Sequence, residues 1–214
     1  MPLRLFSTLN IAANEPNAKQ TRISYRGCKG GDLLVSDEEL ASQMQLGSEA
    51  ALEEIVKRYH GPIHGYLVRM SGDYHSTNDI TQEIFIKMCG GIQSYRPGMP
   101  FRAWLYSIAS NTYKDYLKKA YIRKVIPGLE NTTHCSTNIV TPEESFIKND
   151  ERARLIKAIN SLGHIYRETL ILRYYDDLKL DEIASALKIP TGTVKSRLSN
   201  GLSQLKKIFS IKEF

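Results

Sequence analysis

Residues 180–205 read LDEIASALKIPTGTVKSRLSNGLSQL, and this stretch decides the fold class. Apolar Ile183, Leu187, Val194, Leu198, Leu202 and Leu205 recur at three- and four-residue spacing, which predicts helix on both sides of Lys188-Ile189-Pro190. Lys188-Ile189-Pro190 is a tight connection, and the second helix starts at Thr191. Ala184 is small where two helices must cross closely. The result is a short helix, a tight turn and a second helix, the arrangement that presents the start of its second helix to the DNA major groove. Thr191, Gly192 and Thr193 stand at that start, where free N–H groups and the helix dipole favour a phosphate. Lys195, Ser196, Ser199 and Asn200 lie opposite the apolar stripe, and Lys and Asn side chains can read base edges. Arg197, Lys206 and Lys207 suit the backbone.

Charge placement agrees. The 214 residues carry 29 Lys+Arg against 23 Asp+Glu, a net charge of +6. Residues 188–212 hold six basic side chains and no acidic one, so the whole excess lies on this segment. Taken alone, such a run fits a polyanion contact and a solvated helix end equally well.

Outward from there the chain remains helical. A weak apolar start and scattered Gly, Asn and Pro make residues 1–35 a flexible N-terminal extension; RGCKGGD lacks the spacing of a phosphate loop. Ser36 with Glu39 forms a capping box, Ser48 caps a second helix that runs through Pro62 with a kink, and Asn78 caps a third. Phe101, Trp104, Leu105, Ile108 and Leu117 mark a fourth, with Trp104 in the core. These four define one helical domain, 36–120. Residues 121–141 read as a polar linker. Thr141-Pro142-Glu143-Glu144 signals a new helix start, and 142–214 form a second all-α domain. The expected class is all-α: two small helical domains joined by a flexible linker, the second with a helix-turn-helix.

Several function classes are excluded or weak. No apolar run approaches the roughly 20 residues that span a bilayer. Cys28, Cys89 and Cys135 form no CxxC pair, so a reducing cytoplasm is the expected location. His60 and His64 are four apart, but Pro62 lies between them and no third ligand is evident, so no metal and no cofactor is expected. No nucleophile–base pair is visible. Three readings remain from the residues: a helix-turn-helix regulator acting alone, a metal hydrolase on the His pair, and a subunit that recruits a larger machine to DNA.

Two long motifs favour the last. The segment 176–207, with IPTGTVKSRL inside it, resembles the promoter-reading domain of bacterial sigma factors of the extracytoplasmic-function class of the sigma-70 family. NDITQEIFIKMCGGIQSYRPGMPFRAWLYSIASNTYKDYL, residues 78–117, resembles that family's core-binding and promoter-melting segment, and residues 37–73 fit its first helices. The resemblance implies three contact sets. Asp79, Gln82, Glu83, Phe85 and Ile86 would face the β′ coiled-coil of RNA polymerase core. Lys87, Tyr95, Arg96, Pro97, Gly98, Met99, Arg102, Asn111 and Lys114 would hold the melted −10 strand. Thr191, Thr193, Lys195, Ser196, Arg197, Ser199, Asn200 and Lys206 would read the −35 element. Partners implied are the polymerase core, including its β flap, promoter DNA, and an anti-sigma factor able to hold the protein at the membrane. The chain would be no enzyme; bond making belongs to the polymerase. Three departures stand out: Lys179 replaces a Ser/Thr cap, Lys188 a turn Gly, and Asn200-Gly201-Leu202 the usual Arg-Ala-Arg. Asn200-Gly201 predicts fraying of the recognition helix and weaker upstream recognition.

Overall fold

The computed structural model describes residues 35–72, 74–96, 98–125 and 148–210, without the side chains of 74, 75, 123–125, 148–154, 209 and 210. The expected N-terminal extension, apart from Val35, the expected linker beyond 125 and the Thr141-Pro142 start signal lie outside the described residues.

Eight α-helices and no strand occur among the described residues. Helix α1 (Asp37–Gln45) starts where the Ser36 hydroxyl accepts the Glu39 N–H at 3.1 Å, and acidic Asp37, Glu38 and Glu39 sit at its positive end. Ser48 accepts the Ala51 N–H at 3.3 Å and opens α2 (Glu49–Ser71), which continues through Pro62 and ends at Gly72 in the left-handed region, φ 74°. Helix α3 (Tyr74–Gly91) starts four residues before Asn78, so Asn78 is not its cap. The Asn78 side chain bonds instead to His64 on α2, and that tertiary contact overrides the capping preference.

A 3₁₀ turn, Ile92–Ser94, leads through the loop to α4 (Phe101–Val125), which runs five residues past the expected domain end at 120. The second half comprises α5 (Lys148–Ser161), α6 (His164–Tyr174), α7 (Leu180–Leu187) and α8 (Thr191–Ser210). Lys179 caps α7 without its side chain: its N–H donates to Glu182 Oε2 at 2.6 Å, one half of a capping box. Lys188 takes the turn glycine's place in the left-handed region, φ 54° and ψ 48°. The Ile189 N–H then donates to Ala184 O at 3.0 Å and closes the turn.

Helix α8 does not fray at Asn200-Gly201. It is continuous there, because Gly201 is buried where α8 crosses α6. A β-carbon at Gly201 would lie 2.9 Å from Leu170 Cδ1 and 3.4 Å from Tyr166 Cβ. The inward stripe of α8 is therefore Val194, Leu198, Gly201 and Leu205, and Leu202, expected inside, is 44% exposed.

One hydrophobic core runs through both halves. It includes Ile55, Ile63, Tyr66, Leu67, Met70, Ile84, Met88, Phe101 and Leu105 from α2–α4, and Ile171, Leu172, Ile183 and Val194 from α6–α8. Each such side chain fully buried contributes about 1.5–3 kcal/mol. The halves meet along two seams, α4 against α7 and α2 against α6.

Candidate nucleic-acid and partner interface

The recognition helix is positioned from below. Val194 is fully buried and Leu198 nearly so, and the Thr191 hydroxyl donates to Asp181 Oδ1 at 3.2 Å, tying the start of α8 to α7. Outward stand Lys195, Ser196, Ser199, Asn200 and Lys206, all exposed; Thr191, Thr193 and Arg197 are half-buried. The Ser196 hydroxyl donates to Thr193 O at 3.0 Å within the helix. The expected residues other than Lys206 thus lie in the first half of α8, on the sides that Val194 and Leu198 leave free, and Lys206 stands toward its far end.

The loop before α4 is held by parts that the sequence reading did not single out. Gln45 on α1 donates through Nε2 to Ile92 O at 2.9 Å and to Tyr95 O at 2.8 Å. Glu38 Oε1 accepts the Phe101 N–H at 3.2 Å, satisfying a free donor at the start of α4. Tyr95 is buried, its ring 5.6 Å from Phe101 and 5.4 Å from Trp104, and its hydroxyl donates to Met99 O at 2.5 Å. Tyr95 therefore braces the loop from inside. Trp104 packs against the core, as its neighbours on the helix predicted. Arg96 and Gly98 are exposed and Met99 is half-buried; Pro97 lies outside the described residues. Gly98 has φ 98°, a conformation that favours glycine.

Along α4, Asn111 is exposed beside Thr112, whose hydroxyl accepts from Lys87 Nζ at 3.2 Å; Lys87 also pairs with Glu83 at 2.8 Å. The structure thus brings Lys87 to Thr112, the residue that follows Asn111 on α4. The Arg102 guanidinium lies 6.0 Å from the Tyr106 ring. Lys114 points elsewhere: its Nζ donates to Ser110 Oγ at 2.7 Å and lies 3.5 Å from Glu168 Oε1 on α6.

On α3, Asp79, Gln82 and Ile86 are exposed, with Ile86 at 52%, and Glu83 is half-buried. Phe85 is buried and stacked 6.2 Å from His60, so it belongs to the core. His60 and His64 stack at 6.3 Å, and burial pushes both imidazoles below their usual pKa. No group of three His, Cys, Asp or Glu able to hold a metal occurs among the described residues. Burial pushes the Cys89 thiol up, away from reactivity.

Two carboxylates at the seams went unnoticed in the sequence. Glu168 is 1% exposed; its Oε1 accepts from the Tyr66 hydroxyl at 3.1 Å and from Ser110 Oγ at 2.5 Å. Asp176 is 6% exposed, and burial pushes its carboxyl up to about 7 while Arg69, the Tyr106 hydroxyl and Arg102 pull the other way. The available signal was position: Glu168 precedes buried Leu172 by four residues, on the inward side of α6.

A helix-turn-helix with a basic outer face, following a helical half with an exposed loop and cationic helix, defines a class of DNA-binding transcription proteins. The comparisons are specific within that class. The Sigma-70 region 2 family matches residues 55–121, and the Sigma-70, region 4 family matches residues 152–205. The chain is 34% identical over 172 residues to the ECF RNA polymerase sigma factor SigW of Bacillus subtilis, covering 77% of this chain and 92% of that relative. It is 32% identical over 173 residues to the ECF RNA polymerase sigma-E factor of Escherichia coli K12, covering 77% and 89%. Among solved structures, CnrH in complex with the cytosolic domain of CnrY aligns with TM-score 0.63 at 19% identity, over 82% of this chain and 98% of that one. The sigma factor RpoE in complex with the anti-sigma factor NepR from Bartonella quintana aligns with TM-score 0.59 at 20% identity, over 75% and 97%. These two likenesses concern the fold. The chain belongs to the sigma-70 family of RNA polymerase sigma factors, in its extracytoplasmic-function group. Its role is in transcription initiation, as a regulatory factor and not an enzyme. No helix among the described residues is long and apolar enough to cross a membrane.

Proposed function

We propose that this factor recruits polymerase core through the exposed side of α3, traps the melted −10 strand with the 95–100 loop and α4, and reads the −35 element with α8. The observation that carries this reading is the segregation of α8: Lys195, Ser199 and Asn200 exposed along one face, with Val194 and Leu198 buried opposite. A helix held so firmly on one side presents a fixed set of donors to a groove. The −10 assignment draws on the loop, clamped by Gln45 and braced by Tyr95, and on Lys87 bonded to Thr112, the neighbour of exposed Asn111 in the chain. A splayed base can stack and be read on its edge in such a pocket. Asp79, Gln82 and Ile86 supply the core contact. The β′ coiled-coil and the β flap are the polymerase partners of this reading, an anti-sigma factor its regulator, and the cytoplasm its location.

The test is run-off transcription with purified core and a library of candidate promoters. Specific initiation that depends on added protein supports the reading. Duplex binding without any core-dependent initiation would favour a regulator acting alone.

A further inference from the structure

Resting on that sigma-factor reading, we propose that Leu46, at the turn between α1 and α2, is an apolar wedge that the factor sets against the base stack where the −10 strand opens.

Leu46 is 88% exposed, more than any other large hydrophobic side chain among the described residues. One exposed leucine by itself needs no explanation. This one is held out by a fully bonded turn. The Leu46 N–H donates to Ser42 O at 3.3 Å and to Gln43 O at 3.1 Å, the Gly47 N–H to Met44 O at 3.0 Å, and the Ser48 N–H to Gln43 O at 3.0 Å. Gly47 takes the left-handed conformation, φ 89°, that such a helix end requires. The last carbonyls of α1 are thereby satisfied, and drawing Leu46 inward would break the bonds that satisfy them.

The same turn is tied to the loop proposed to trap the strand. Gln45, the residue before Leu46, donates to Ile92 O and Tyr95 O, and Gln93 Nε2 donates back to Gln45 O at 2.8 Å. Leu46 therefore keeps a fixed place relative to that loop. The surrounding chemistry suits bases. Residues 40–48 and 88–95 carry no charged side chain, in a chain 24% charged. Ser42, Leu46, Gln93 and Ser94 are exposed there, and the first cation beyond them is exposed Arg96. The nearest acid along the chain is Glu49, in the first turn of α2. Nucleobases are apolar on their faces and bond hydrogen at their edges, which amides, hydroxyls and a leucine match. Arg96, at the border, suits the adjoining phosphate.

A base leaving the duplex bares the faces of its neighbours. A leucine inserted at such a step covers them and hinders the base from returning. The loop thus supplies a place for the extruded base, and Leu46 covers the gap. The proposed core contact runs along α3 from Asp79 to Ile86, whereas the turn carrying Leu46 follows α1, which packs on the 3₁₀ turn beyond the end of α3. The wedge and the core contact are separate surfaces.

The test uses holoenzyme assembled from core and the full-length chain. Leu46→Ser should slow open-complex formation on a duplex promoter about tenfold, read as permanganate reactivity against time. The same variant should initiate like the natural chain on that promoter premelted across its −10 element, and Leu46→Met should open the duplex as the natural chain does. Unchanged opening by Leu46→Ser would overturn the proposal, and so would an equal loss on the premelted template. Contact is read directly with Leu46→Cys in a chain whose Cys28, Cys89 and Cys135 are replaced by Ser, labelled with a photoreactive group. Joining to bases at the edge of the melted strand supports the wedge; joining to a polymerase subunit alone would make this a protein contact and overturn it. If the natural chain gives no core-dependent initiation on any promoter, the sigma-factor reading itself fails. If the natural chain initiates and Leu46→Ser opens equally fast, only the wedge fails.

Discussion

A β-carbon on residue 201 would stand 2.9 Å from Leu170 Cδ1, closer than packed side chains allow, and this relationship sets how near α8 lies to α6. Gly201→Ala gains about 1 kcal/mol in helix propensity, against an overpacking cost of about 1–3 kcal/mol. The net expectation is a loss of about 1 kcal/mol in urea unfolding. Adding Leu170→Ala should make Gly201→Ala neutral or favourable, a coupling readable in a double-mutant cycle. Strict additivity would mean that the two positions do not press on each other.

Lys188 holds the left-handed turn of the helix-turn-helix, φ 54°, and its side chain is exposed. Lys188→Gly should therefore stabilise the chain by about 1 kcal/mol in the same assay. A loss would show that the lysine makes a contact outweighing the strain.

The Asp176 carboxyl, pushed up to about 7 by burial, makes stability depend on pH. In the unfolded chain it titrates near 4. Between those values the folded chain keeps the proton and the unfolded chain has lost it, so stability falls as pH rises from about 4 to about 7 and stays lower above. Asp176→Asn removes this effect. Its melting temperature should gain on the natural chain as pH climbs through that window, by the equivalent of a few kcal/mol at the top. His60, His64 and His164, all lowered by burial, are common to both chains and drop out of the difference. A constant offset between pH 4.5 and pH 8 would refute the assignment.

Asn111 is exposed on α4 beside the Lys87–Thr112 bond. Asn111→Ala should reduce permanganate reactivity of the melted region while leaving duplex binding by the holoenzyme nearly unchanged. Equal loss of both would move Asn111 out of the strand pocket.

Lys195 projects from the exposed face of α8. Lys195→Ala should weaken binding to a cognate upstream element by about 1–3 kcal/mol and relax the preference at one base pair. A uniform loss on every sequence, with a shallower salt dependence, would make it a phosphate contact.

Local signals were legible where the chemistry is local. Ser36 and Ser48 cap the helices that they announce, because a hydroxyl at the right offset meets its N–H whatever surrounds it. The start of α8 at Thr191 is local too: the Pro190 carbonyl accepts the Thr193 and Val194 N–H groups. Asn78 misled, since its side chain found His64 across the gap between α2 and α3. Leu202 misled too: the leucine was expected inside and the glycine was read as a flaw, whereas close approach to α6 needs position 201 small and leaves Leu202 outside. The clamp on the loop before α4 was not legible, because Gln45 and Glu38 lie about fifty or more residues earlier than the groups they hold.

By itself the sequence determined the helical class, the helix-turn-helix, the basic segment and the family resemblance, all carried by periodicity, caps and motif order. Tertiary structure alone decided that the halves share one core, that Lys114 reaches Glu168, and that burial pushes the Asp176 carboxyl up to about 7. Helical spacing says which residues share a face. It does not say which face of a distant helix arrives opposite, and a charge is tuned by what arrives.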